Sequence, residues 1–186
     1  IIIQGKQTHG STPWKGVDHI VAAGLVITAT QTVVSRQVDI TRAPSVLSFG
    51  AIKGGIRSNI IPESVSMIGT IRNFDAHNRE RIYQRLTDTA QQAAASVGAT
   101  AEVNIKPGYP VTVNDPALTQ AMLPTLQRVV GKDYLIASPL ITGAEDFSYY
   151  AQVTPGLFVY MGITPPEHDL ATVASNHSPY FYVDES

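Results

Sequence analysis

The chain has 186 residues and a formal net charge of −2, with 13 Lys and Arg against 15 Asp and Glu. An apolar share of 44% can fill a core, and the near-balance of charge leaves no electrostatic footprint for nucleic acid or an anionic membrane. Cysteine is absent, which excludes disulfides, thiol nucleophiles and cysteine-bound metals, and no stretch approaches the roughly 18 uninterrupted apolar residues of a membrane span.

Ile1 to Thr8 is a β-branched run followed by alternation, so it reads as a strand. Pro13 and Gly16 punctuate a loop before a helical stretch from about Val17 to Arg36, with Asp18 in its first turn and Arg36 in its last, each suited to the macrodipole. Pro44 opens a strand over Ser45–Lys53 that closes on Gly54 and Gly55, and a loop through Asn59 and Pro62 follows. Ser64–Phe74 alternates, with Val65, Met67, Gly69 and Ile71 on one face, although Ile68 interrupts the pattern. From Ala76 to Val97, the residues Ile82, Leu86, Ala90, Ala94 and Val97 form one helical stripe that Gly98 can end. Ala101–Lys106 reads as a last strand before Pro107.

The order β-α-β-β-α-β over residues 1–110 is the split βαβ, ferredoxin-like plan: an antiparallel sheet with both helices on one face, hence an α/β (α+β) fold. Residues 111–186 form a second block. There the spacing predicts a helix from Asp115 to Val130 kinked or broken at Pro124, a short helix over Glu145–Ala151 and a short buried strand over Leu157–Met161. The chain opens inside a strand pattern, without an initiator Met or signal peptide, and closes at Val183–Ser186 without a capping element. It is expected to be a fragment.

Of the five histidines, His9, His19, His77, His168 and His177, none forms an H-x-H or H-E-x-x-H pair, and no serine lies in a G-x-S-x-G context. Three local clusters stand out. His9, at a strand end between Thr8 and Gly10, can point out of a sheet toward a ligand. Asn59, with Arg72 in the next strand, offers a neutral donor and a bidentate carboxylate fork. Glu145 and Asp146 precede a short helix, with His177 beyond them, and one histidine is not a metal site. Read singly, the clusters are first an exposed loop histidine, a turn Asn with a surface-strand Arg, and acids that partner a helix N-terminus.

Together they resemble the M20 family of zinc aminoacylases and carboxypeptidases, most closely its amidohydrolase branch. The resemblance rests on GKQTHGSTPWKGVD at Gly5–Asp18, VSR at Val34–Arg36, GGIRSNIIPE at Gly54–Glu63, GTIR at Gly69–Arg72, GAEDFS at Gly143–Ser148 and NHSPYF at Asn176–Phe181. These stretches follow the family's order and cover nearly the whole chain. The resemblance implies that residues 1–110 are the lid, or dimerisation, domain and that 111–186 are an incomplete piece of an α/β zinc-exopeptidase catalytic domain. It implies that His9 steadies the tetrahedral oxyanion from the partner subunit, that Asn59 and Arg72 grip the substrate near its α-carboxylate, that Glu145 and Asp146 line the substrate side, and that His177 is a metal ligand. Trp14 departs from the amidohydrolase branch, where a second His is common.

The function so implied is metal-dependent hydrolysis of the amide bond of N-acyl amino acids or short peptides by a homodimer joined through the lid, with neither nucleic acid nor membrane as partner. Two divalent ions are implied, zinc first and manganese or cobalt also compatible, held mostly by residues that would precede Ile1, as would the general-base Glu. These 186 residues alone are therefore expected to be inactive. The rival reading is a non-catalytic ferredoxin-like module that dimerises or binds a small ligand. The compartment is left open.

Overall fold

The computed structural model describes residues 1–165 and 167–183, so the uncapped end at 184–186 lies outside the described residues. The chain divides into two compact units, Ile1–Val111 with Ile136–Asp146, and Thr112–Leu135 with Phe147–Ser186.

In the first unit the chain runs β1 (Ile2–Gln4), β2 (Thr8–His9), α1 (His19–Arg36), β3 (Ser45–Gly54), β4 (Ile60–Ile61), β5 (Ser64–Asn73), α2 (Ala76–Ala95) and β6 (Thr100–Glu102). Four of the strands form one sheet in the order β3-β5-β1-β6, with every neighbour antiparallel, which is the ferredoxin-like arrangement. Ile3, Val65 and Met67 from the sheet pack with Ala22, Ala23 and Val26 of α1 and Ala90 and Ala94 of α2 to form the core. Ile82 and Leu86 extend the buried stripe of α2. The alternation of β5 holds through Ile68: that residue faces outward and is exposed, while Val65 and Met67 face inward.

Helix starts follow their caps. The carboxylate of Asp18 accepts from the backbone N–H groups of Ile20 (3.0 Å) and Val21 (3.1 Å), so Asp18 is the cap and α1 begins at His19, two residues later than the sequence pattern placed it. Asp75 caps α2 in the same way through the N–H of Asn78, at 2.7 Å. After α2, Gly98 takes a left-handed φ of +81° and returns the chain to β6.

Two strands are shorter than their patterns. The first strand stops at Gln4, since the Lys6 carbonyl is taken by the N–H of Val17 (2.9 Å) and Thr8–His9 pair elsewhere. The last stops at Glu102, because the strand it pairs with, β1, begins at Ile2. On the long β3–β5 ladder the register shifts between Phe49 and Ala51, a β-bulge. Gly69 lies under it: a Cβ there would collide with the carbonyl oxygen of Ser48.

In the second unit, α3 (Pro116–Val130) is capped by Asp115, which accepts from Leu118 N at 2.7 Å, and is followed by α4 (Phe147–Ala151). Of the kink or break expected at Pro124, the break does not occur. The carbonyl that Pro124 leaves without a donor belongs to Gln120, an exposed residue, so water can satisfy it and the helix continues. Nor is Leu157–Met161 a buried strand. Its main chain is held by a side chain instead: Phe158 N donates to Asn114 Oδ1 (2.7 Å) and Asn114 Nδ2 donates to the Phe158 carbonyl (2.9 Å), while Val159, Tyr160 and Met161 are exposed. Without a neighbouring strand among the described residues, an apolar run has no ladder to join. No helix among the described residues is long and apolar enough to cross a membrane.

Candidate functional site

Between β1 and α1 the chain makes an excursion that meets a second excursion between β3 and β5. The two form a two-stranded flap: β2 pairs with β4 (Thr8 opposite Ile61, His9 opposite Ile60), and Gly10 N donates to the Asn59 carbonyl at 2.8 Å. Sequence periodicity could not reveal strands of two residues, and the loop expected through Asn59 and Pro62 carries one of them, Ile60–Ile61. A Cβ at Gly10 would stand 3.2 Å from the Asn59 oxygen, so the close approach favours glycine there.

His9 closes β2 and is exposed. Its Nδ1 receives the backbone N–H of Ser11 at 3.1 Å and lies 2.7 Å from the Ser11 hydroxyl. A backbone N–H can only donate, so Nδ1 carries the lone pair and the ring proton sits on Nε2. The flap therefore presents an outward N–H donor on a ring whose orientation Ser11 fixes. A serine two residues after a strand-end histidine is the sequence signal for this lock.

The structure brings His9 and Asn59 together and sets Arg72 apart from them. The flap leaves the sheet where Gln4 faces Ser64, whereas Arg72 lies toward the other end of β5, opposite Val46. The eight residue steps from Ser64 to Arg72 cover roughly 26 Å of strand. Arg72 is half-buried, and no carboxylate among the described residues pairs with it.

Glu145, half-buried, and Asp146, exposed, close the segment Ile136–Asp146 of the first unit and directly precede α4. His177 belongs to the second unit, exposed in a turn in which Ser178 N donates to the Ser175 carbonyl at 2.8 Å. Among the described residues no group of three or more His, Cys, Asp or Glu side chains stands close enough to hold a metal ion. One imidazole is a partial ligand set, so these residues by themselves do not fit a dinuclear centre.

The sequence pattern of Peptidase family M20/M25/M40 matches residues 8–186. The N-acetyl-L-cysteine deacetylase of Bacillus subtilis is 35% identical over 184 residues, a match covering 99% of this chain and 42% of the relative. Thermostable carboxypeptidase 2 of Saccharolobus solfataricus is 32% identical over 186 residues, covering 100% and 46%. Among solved structures, a Bacillus subtilis protein described as a dinuclear metal-binding peptidase from the M20 family matches with a TM-score of 0.69 at 26% identity, over 98% of this chain and 44% of that one. The chain thus spans a little under half the length of the curated relatives it matches.

Proposed function

The chain belongs to Peptidase family M20/M25/M40, and on that premise we propose that it is part of a metal-dependent hydrolase that cleaves the amide bond of N-acyl amino acids or short peptides, acting as a homodimer joined through its first unit. In this reading residues 1–110 are the lid and 111–186 contribute to the catalytic domain. Two divalent ions, zinc or a similar metal, are held mainly by further chain such as the relatives possess, and His177 adds one imidazole. The names of two relatives, a deacetylase of an N-acyl amino acid and a carboxypeptidase, support the substrate class.

The observation that carries the reading is the outward Nε2–H of His9. A donor fixed in place before reaction, aimed at an oxygen that gains charge only in the transition state, stabilises that state without reorganisation. The Asn59 amide can donate beside it. Arg72 offers two parallel N–H bonds to a carboxylate, and Glu145 and Asp146 lie on the substrate side.

Two further observations support the dimer. The root of the flap and Arg72 of one copy stand roughly 26 Å apart along β5, and two copies that exchange these residues would bring them to one substrate. The free edge of the sheet also carries the docking chemistry. There β3 is a ten-residue edge strand whose only charge is Lys53, and nearby α1 exposes Ile20, Val21 and Leu25.

Mixing tests both points. Full-length copies bearing His9→Ala and full-length copies bearing Arg72→Ala, each inactive alone, should recover about a quarter of native hydrolysis when mixed, since half the dimers are mixed and each has one intact site. Silence in the mixture would refute shared sites. Pairing of copies without turnover by the native protein would instead identify a non-catalytic module.

A further inference from the structure

His19 is the first residue of α1 and is fully buried, at 0% exposure. Its Nδ1 lies 2.6 Å from the carbonyl of Pro62, which can only accept, so Nδ1 donates. Its Nε2 is buried without a hydrogen-bond partner and faces Gly5 so closely that a Cβ on that residue would collide with it. Gly5 is where the chain leaves β1 for the flap, and Pro62 is where it leaves the flap for β5. One side chain therefore grips both roots of the flap at once.

We propose that His19 is a positioning residue that locks the β2–β4 flap onto the four-stranded sheet and so fixes where His9 and Asn59 stand. Apart from the buried side chain of Ile61, the flap has few ties of its own. Its own ladder is two residue pairs long, and such short pairing opens readily unless its ends are fixed. Outside that ladder, the link from Val17 N to the Lys6 carbonyl is a second tie, and it too runs to the N-terminal side of α1. The packing of Nε2 against Gly5 requires glycine, and the Pro62 carbonyl requires a donor, so the latch has a specific chemistry at each root. What the latch means for substrate rests on the hydrolase reading above; its existence does not.

Amide hydrogen exchange on the whole chain separates the two. Gly10 N, bonded to Asn59, reports the flap, and Met67 N, bonded to the Ile1 carbonyl, reports the sheet. His19→Leu keeps the bulk and removes the donor. It should speed exchange at Gly10 by about ten-fold or more while Met67 changes little. His19→Asn, whose side-chain N–H stands where Nδ1 does, should return Gly10 toward native protection. Gly5→Ala should act like His19→Leu by displacing the ring. Unchanged exchange at Gly10 would overturn the proposal, and so would a parallel rise at Gly10 and Met67, which would make His19 an ordinary core residue. In full-length protein, His19→Leu should lower hydrolysis and His19→Asn should restore it in step with protection at Gly10. Absence of hydrolysis in the native protein would strike the functional reading and leave the exchange result standing.

Discussion

The two helices of the first unit cover the same sheet and present opposite outer faces. On α2 a single stripe, Ile82, Leu86, Ala90 and Ala94, is buried, and the remaining surface carries Arg79, Glu80, Arg81, Arg85 and Asp88. On α1 the buried residues Ala22, Ala23, Val26, Thr30 and Val33 are matched outside by Ile20, Val21 and Leu25 at 48%, 52% and 41% exposure, and no charge falls between His19 and Arg36. An amphipathic helix with a charged back is finished once it meets its sheet. A helix apolar on both sides has a second surface to cover. The inner faces of both helices serve stability, and of the two only α1 offers an apolar outer face to the self-association proposed above.

Removing the buried stripe should do most. Ile82→Ala opens a cavity at a fully buried site and should cost about 3 kcal/mol, read as a shift in the denaturant midpoint; a cost below about 1 kcal/mol would mean the stripe packs loosely. Next comes charge on the outer face of α1. Leu25→Glu should weaken self-association by more than about a hundred-fold in sedimentation, because an unpaired charge buried at an interface costs about 3 kcal/mol or more. The same change on the outer face of α2, Gln91→Glu, should leave association as it was, and equal effects on both helices would erase the distinction.

The smallest effect concerns the α2 cap. The hydrogen bond from Asn78 N–H, aided by the Arg42 guanidinium, holds the Asp75 carboxyl below its ordinary value of 3.8. A carboxyl lowered in the fold stabilises above its unfolded pKa and stops doing so as pH falls through the folded value, so the loss lies below 3.8. Asp75→Asn keeps an acceptor without the titration. Between about pH 5 and pH 3 its denaturant midpoint should fall less than the native one; identical slopes would move the acid sensitivity to another group, such as Asp39, held low first by the Thr41 hydroxyl.

Legibility followed the length of the pattern. The stripe of α2 and the alternation of β5 repeat several times, and both were readable because each repeat buries another side chain in the same core. The flap was not readable, since Thr8–His9 and Ile60–Ile61 are too short to show a period and are defined by partners some fifty residues away. Leu157–Met161 misled for the converse reason: its composition suits a strand, but strand formation depends on a neighbour that composition does not encode. Among site residues, His9 and Asn59 were visible from their local stretches. The ring lock by Ser11 and the grip of His19 on Gly5 and Pro62 exist only once the chain has folded.

The bulge on β3 also makes two glycines on neighbouring strands unequal before selection. Against the Ser48 carbonyl, position 69 has no room for even one carbon, whereas a Cβ at Gly50 meets nothing within 4 Å. In a library carrying every substitution, Gly69 should be the only survivor in its column while Gly50 is replaced freely, so the written sequence has one interchangeable letter and one that the backbone has already spelled.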